Sequence, residues 1–216
     1  MIKRYVLLFI ATNITSLYAI LGGIGLNLAQ DSFTLDQESI AESPVGSMIR
    51  TEMSEPIGFG GFAYLTIIPL VDFEVGANLT VAAYEYSYTN NITSDNETIE
   101  LGLGKLTWHI SAQRPLLKLP MIRMYAGAGI NGSTYTKIVS EKLVQNLDSD
   151  CFNDEDCMKE ELSGDATGMH LEAGARFKPP ILPFSLNINA RYNLVKDIAP
   201  DKDGFLTISV GAAFAI

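Results

Sequence analysis

Hydrophobic and polar positions alternate with period two along most of the chain. In 204–216 one face reads Leu206, Ile208, Val210, Ala212, Phe214 and Ile216, and the other Thr207, Ser209, Gly211, Ala213 and Ala215. In 184–194, Phe184, Leu186, Ile188, Ala190, Tyr192 and Leu194 oppose Ser185, Asn187, Asn189, Arg191 and Asn193. Segments 72–88, 121–135 and 167–178 repeat the pattern. Successive side chains of a strand point to opposite faces, so alternation this long predicts two-faced strands. Three further strands are expected at 20–29, 57–68 and 98–112, which makes eight. In 98–112, Ile99, Leu101 and Leu103 share one parity while Leu106, Trp108 and Ile110 share the other, and a bulge near Gly104 would reconcile them. Segment 57–68 has the same ambiguity.

The connections alternate in character. Those at 30–56, 89–97, 136–166 and 196–203 include two long, acidic, Ser-rich stretches; the intervening ones are short and carry Pro69, Pro115 and Pro120, then Pro179, Pro180 and Pro183. Transmembrane barrels have this asymmetry, with tight turns on one side and long loops on the other. The polar face within the strands is built of Gly, Ser, Thr and Asn with a few charges, which suits a crowded interior better than a solvated exterior. An open sheet edge in lipid would leave N–H and C=O groups unsatisfied at several kcal/mol each, so the sheet must close. The expected fold is all-β: an eight-stranded antiparallel transmembrane up-and-down β-barrel with both termini on the periplasmic side. Tyr84, Tyr86, Tyr88, Tyr135 and Tyr192 toward the loops, and Phe73, Trp108 and Phe184 toward the turns, are expected to form two aromatic girdles.

The first residues follow another plan. Met1–Arg4 is cationic, Tyr5–Ala11 apolar and Thr12–Ala19 more polar, which is the order of a secretory signal peptide. Cleavage is expected after Ala19, leaving 20–216 as one barrel domain. Hydrophobic residues make up 47% of the chain although its net charge is −10, and mean hydropathy is +0.17. No later apolar run reaches about 18 residues, so the mature chain has no spanning helix. The excess of 25 Asp+Glu over 15 Lys+Arg argues against nucleic acid. In an exported chain the close pair Cys151 and Cys157 reads as a disulfide rather than a metal site, because no further ligand lies at suitable spacing.

The segments Met124-Tyr-Ala-Gly-Ala-Gly-Ile130, Phe184-Ser-Leu-Asn-Ile-Asn-Ala-Arg-Tyr-Asn193 and Phe205-Leu-Thr-Ile-Ser-Val-Gly-Ala-Ala-Phe-Ala-Ile216 resemble the small bacterial outer-membrane β-barrel family of OmpA and OmpX type. The resemblance is to the barrel domain only and covers the chain beyond residue 19. It implies residence in the outer membrane of a Gram-negative-type bacterium and insertion by the barrel-assembly machinery. Members usually end in an aromatic residue; this chain has Phe214 and then Ile216.

Glu74, Arg123, Glu172, Arg176 and Arg191 carry lumen parity and are expected to pair and plug the barrel, since charges removed from water need partners. His109 and His170 are the two histidines. A lipid-active or proteolytic enzyme would need such a His beside Ser or carboxylate, here Ser163 or Glu172, but a satisfied polar residue near the loop-side mouth is the favoured reading. The acidic run 148–156 could hold Ca²⁺ yet lacks the spacing of an EF-hand loop, so a solvated loop stapled by the cysteines is preferred. Gly22–Gly25, Gly58–Gly61 and Gly127–Gly129 have no Lys-Ser/Thr behind them and read as small residues of the barrel wall. The chain is thus expected to be a monomeric, non-enzymatic structural or adhesive protein that needs no cofactor and meets host or surface ligands through its outer loops. A narrow channel or carrier for small or hydrophobic solutes is the alternative.

Overall fold

A computed structural model describes residues 22–68, 70–119, 121–140, 155–179, 182–196, 198 and 202–215. The expected signal peptide, Cys151 and most of the acidic run lie outside them. The elements are β1 (Gly22–Asp31), β2 (Glu38–Glu42), β3 (Gly46–Arg50), β4 (Ile57–Ile68), β5 (Val71–Asn90), β6 (Asn96–Lys118), β7 (Ile122–Thr136), α1 (Glu155–Leu162), β8 (Ser163–Phe177), β9 (Phe184–Leu194) and β10 (Phe205–Ala215).

Eight strands form a closed antiparallel ring. From β4 to β10 each pairs with the next, and β1 closes the circle by pairing with β4 on one side and β10 on the other. Strands that read as alternating become two-faced walls. In β9, Ser185, Asn187, Asn189, Arg191 and Asn193 are buried inside, while Phe184, Leu186, Ile188, Tyr192 and Leu194 are exposed outside. From Phe184 to Leu194 that outer run spans ten steps of about 3.3 Å. Tilted by about 40°, it covers the roughly 25 Å apolar band of a transmembrane barrel. No helix among the described residues is long and apolar enough to cross a membrane.

Four expectations need correction. First, 30–56 is not a plain loop, because β2 and β3 form a hairpin whose inner strand pairs with the upper end of β5, Gly46↔Asn90 to Arg50↔Tyr86. The hairpin is anchored by inward Ile40, Met53 and Arg50. Second, β6 has no bulge at Gly104, since its register with β5 runs unbroken from Asp72↔Gln113 to Thr89↔Asn96. Both parities are apolar because β6 rises past the barrel rim, where Leu103 turns into an apolar cap while Leu106, Trp108 and Ile110 face outward below. The irregularity lies instead between Pro115 and Leu117, inside the strand, where a residue without an N–H cannot complete the ladder to β7.

Third, Tyr84, Tyr86 and Tyr135 do not belong to a girdle; they are buried and turn inward above the lumen, whereas Tyr88 and Tyr192 are exposed. Fourth, Trp108 sits opposite Ala77 and Gly132, well inside the apolar belt rather than at its turn-side edge. In the connection 136–166, α1 carries Cys157, which is disulfide-bonded.

A local rule explains several wall glycines. At six of them the ring of the facing residue folds over the glycine: Gly23↔Tyr64, Gly76↔His109, Gly129↔His170, Gly132↔Trp108, Gly164↔Tyr135 and Gly174↔Tyr125. A Cβ added at any of them would lie 2.5–2.7 Å from atoms of the facing side chain. Each ring folds across the strand into the space its glycine leaves, an arrangement that pins cross-strand register.

Candidate functional site

The lumen is filled by stacked polar layers. At the turn end Arg123 pairs with Asp72, whose carboxylate is fully buried. Next, the Arg176 guanidinium lies 3.5 Å from the Tyr64 ring centre. Its Nε donates to Asn187 Oδ1 at 2.7 Å, and it reaches Glu74 Oε2 at 3.4 Å.

Above that, Arg191 bridges both acids, at 2.9 Å from Glu172 Oε2 and 3.4 Å from Glu74 Oε1. Gln113 Nε2 at 2.9 Å and Asn189 Nδ2 at 3.1 Å also donate to Glu172, so both carboxylate oxygens are satisfied. Arg191 donates to His109 Nδ1 at 3.1 Å, which leaves the His109 proton on Nε2, 3.5 Å from Glu74. Charges this deeply removed from water persist only when paired and hydrogen-bonded.

Of the five residues expected to meet, Glu74, Glu172, Arg176 and Arg191 form one network, and Arg123 joins Asp72 at its foot. His170 is not set against Ser163. Ser163 is the first residue of β8, exposed and donating to Lys159 O, while His170, at the middle of the strand, has its Nε2 2.8 Å from Ser111 Oγ. Ser111 and His170 are both buried, so this pair is closed to a lipid or peptide substrate.

A fourth layer was not expected from the sequence. At the rim, Asp31 pairs with Lys105 at 2.7 Å and accepts from Thr80 at 2.7 Å and Thr207 at 2.6 Å. Asn193 donates to Thr207 at 2.9 Å, and Asn131 to Asn193 at 2.7 Å. This chain ties β1, β5, β6, β7, β9 and β10 across the barrel. Four acids (Asp31, Asp72, Glu74, Glu172) therefore face four bases (Lys105, Arg123, Arg176, Arg191), and the lumen is neutral. The net charge of −10 resides elsewhere in the chain. A void of about 10 Å³ lies beside Glu74, His109 and Arg191, room for about one water.

Over the rim sits an apolar cap formed by Phe33, Leu35, Ile40, Met53, Tyr84, Tyr86, Leu103, Tyr135, Ile138, Val195, Ile198 and Phe205. The Lys105 ammonium lies 3.7 Å from the Phe205 ring centre, so the cap rests directly on the ionic layer. Phe33 and Phe205 meet edge to face at 5.3 Å. Burial, with the Tyr84 phenol beside it, raises the pKa of the Tyr86 phenol, which donates to Val139 O. Among the described residues no group of His, Cys, Asp and Glu is placed to hold a metal ion.

No family model and no curated protein matches the chain. The solved structures similar to the chain include two small barrels. One is Ail, the attachment invasion locus protein of Yersinia pestis, in complex with the heparin analogue sucrose octasulfate: 12% identity, 90% of this chain and 97% of that chain covered, TM-score 0.50. The other is Neisserial surface protein A, with 12% identity, the same coverages and TM-score 0.50. Identity this low establishes the fold alone. The closed ring, the apolar outer belt and these two likenesses agree on one conclusion: the chain has the fold of the small eight-stranded outer-membrane β-barrels of OmpA and OmpX type.

Proposed function

We propose that the chain is a closed outer-membrane barrel whose work is done on its outer surface, in envelope integrity or adhesion, rather than by passage through its lumen. The observation that carries this reading is the double closure. A neutral ionic plug fills the barrel, and an apolar cap built from the first loop, Ile138, Val139, Val195 and Ile198 covers it. A narrow channel or carrier would need a path through both layers. Export by a signal peptide at 1–19, insertion by the barrel-assembly machinery, periplasmic termini and a monomeric state complete the proposal, as does a Cys151–Cys157 bridge in the outer loop.

The outer surface also separates ligand classes. Ail was solved with a sulfated ligand, but the loop end of this barrel carries Glu42, Glu52, Glu85, Asp95, Glu97 and Glu100. Such a surface repels polyanions and attracts cationic partners. The sealed Ser111–His170 pair gives no support to an enzymatic reading.

Planar bilayers containing the refolded protein should remain silent in molar salt. Discrete conductance steps that disappear when Asn27, beside the internal void, is replaced by tryptophan would overturn the closed-barrel reading in favour of a channel.

A further inference from the structure

We propose that the turn end of the barrel is a binding surface for anionic phospholipid, whose headgroup phosphate is held by Arg114 on the outer wall. The proposal rests on reading the apolar face as lipid-facing and the turns as the periplasmic side. Three turns close this end: 69–70 between β4 and β5, 119–121 between β6 and β7, and 178–183 between β8 and β9. Turns that face water draw on Gly, Asn, Asp and Ser as well as Pro. These three contain none of the first four; besides proline they carry Leu70, Leu119, Met121, Ile181, Leu182 and a single charge, Lys178. Leu70 is 72% exposed and Leu119 52%. In water such side chains would leave apolar surface in solvent. Among headgroups they extend the belt, because Phe73, Leu117 and Phe184 are the next outward residues of the same hairpins. Lys178 N donates to Met121 O at 2.8 Å, which joins the second and third turns into one patch.

The charges of this end are cationic. The ladder between β6 and β7 runs unbroken from Lys105↔Tyr135 to Pro115↔Tyr125, so Arg114 shares the parity of Trp108 and Ile110 and looks outward, opposite Ala126. From Trp108 to Arg114 the strand advances about 20 Å. At a tilt of about 40° that is roughly 15 Å along the membrane normal, which puts Arg114 at the turn-side margin of the belt. An arginine there buries its stem in the apolar layer and offers its planar fork to a phosphate. Among the described residues no acid pairs with Arg114 or Lys178.

The acids are sorted to the other end. Asp72, Glu74 and Glu172 are paired inside the lumen. The remaining acids of 20–216 fall in the loop-side halves of strands or in the connections at that end. A chain of net charge −10 thus presents a basic, greasy rim to one leaflet.

Other occupants fit less well. A periplasmic protein could cover the turns, but Arg114 lies on the belt itself, where lipid and not a water-borne partner stands. A soluble polyanion would meet the cations and leave the leucines in water.

Trp108, on the same face of the same strand, reports the lipid beside Arg114. The whole barrel is refolded into phosphatidylcholine vesicles holding a minor share of phosphatidylglycerol, with bromine on the acyl chains of one lipid or the other. Brominated phosphatidylglycerol should quench Trp108 as though enriched about fivefold over its bulk share, the factor for one cation near an anionic headgroup. The enrichment should vanish in ~1 M salt, where the screening length is about 3 Å. Arg114→Gln should bring the ratio to about one, and Arg114→Lys should keep most of the preference. The net charge of the chain acts the other way, since by itself it would exclude phosphatidylglycerol, so enrichment is not a product of general attraction. A ratio at or below one in the unaltered protein, or an undiminished ratio in Arg114→Gln, would overturn the lipid site. Quenching by brominated phosphatidylcholine separates the two readings. If it persists without a preference for phosphatidylglycerol, only the lipid site falls; if it is lost, the lipid-facing belt falls with it.

Discussion

Arg191→Met is expected to lower the unfolding free energy of the barrel by about 3–5 kcal/mol, the usual cost of breaking a buried ion pair from one side. Methionine retains the apolar stem, but Glu172 loses the guanidinium at 2.9 Å and Glu74 loses one of its two arginines. The lumen then holds four acids against three bases, with room for only about one water beside Glu74. Urea titration in detergent, followed by the heat-modifiable gel band, measures the change. A loss below about 1 kcal/mol would mean that the lumen is hydrated like a surface, where ion pairs contribute little. Adding Glu172→Gln to the same chain should recover part of the loss, because it restores neutrality, and the cycle of single and double variants isolates the pair.

Ile188→Arg is expected to cost about 2–4 kcal/mol, the depth-dependent penalty for an arginine on the lipid face near the midplane. Ile188 is 56% exposed, and its side chain looks outward between Val210 of β10 and Ala175 of β8. In a water-soluble barrel the same substitution would be nearly neutral. Refolding yield and urea midpoint in phospholipid vesicles give the readout, with Ile188→Ala as the reference for lost side-chain volume. Equal midpoints for the arginine and alanine variants would deny that this face meets hydrocarbon.

The barrel was legible because its two faces differ so consistently. Phe184–Leu194 and the terminal strand alternate without interruption, and a one-residue slip would exchange every lipid-facing and lumen-facing side chain. The arginines and glutamates of the network were also legible, as rare charges among small polar residues. Lys105 and Asp31 were not. Asp31 follows the expected end of its strand, and Lys105 shares parity with Ile99, Leu101 and Leu103, which reads as an apolar outer face until Leu103 is seen to be part of the cap.

That cap is where the sequence was least informative. Phe33, Met53, Ile138 and Ile198 are single apolar residues scattered through loops far apart in the chain, and no period links them. The inward tyrosines misled for a related reason. Tyr84 and Tyr86 continue the lumen parity of β5 above the rim, a relation that the expectation of a girdle passed over. Likewise the wall glycines read as generic small residues because each one's partner ring lies on a neighbouring strand, a relation that only register exposes.

The account stands on one claim, that the apolar face looks out into lipid. Trp108 is the only tryptophan in the chain and sits on that face, 43% exposed. Its fluorescence, in protein refolded into vesicles of phospholipid brominated along the acyl chain, is therefore the most direct measurement. The predicted result is strong quenching by the bromines together with insensitivity to aqueous iodide. Iodide quenching with no effect of the brominated chains would contradict the account and turn the apolar face away from the membrane.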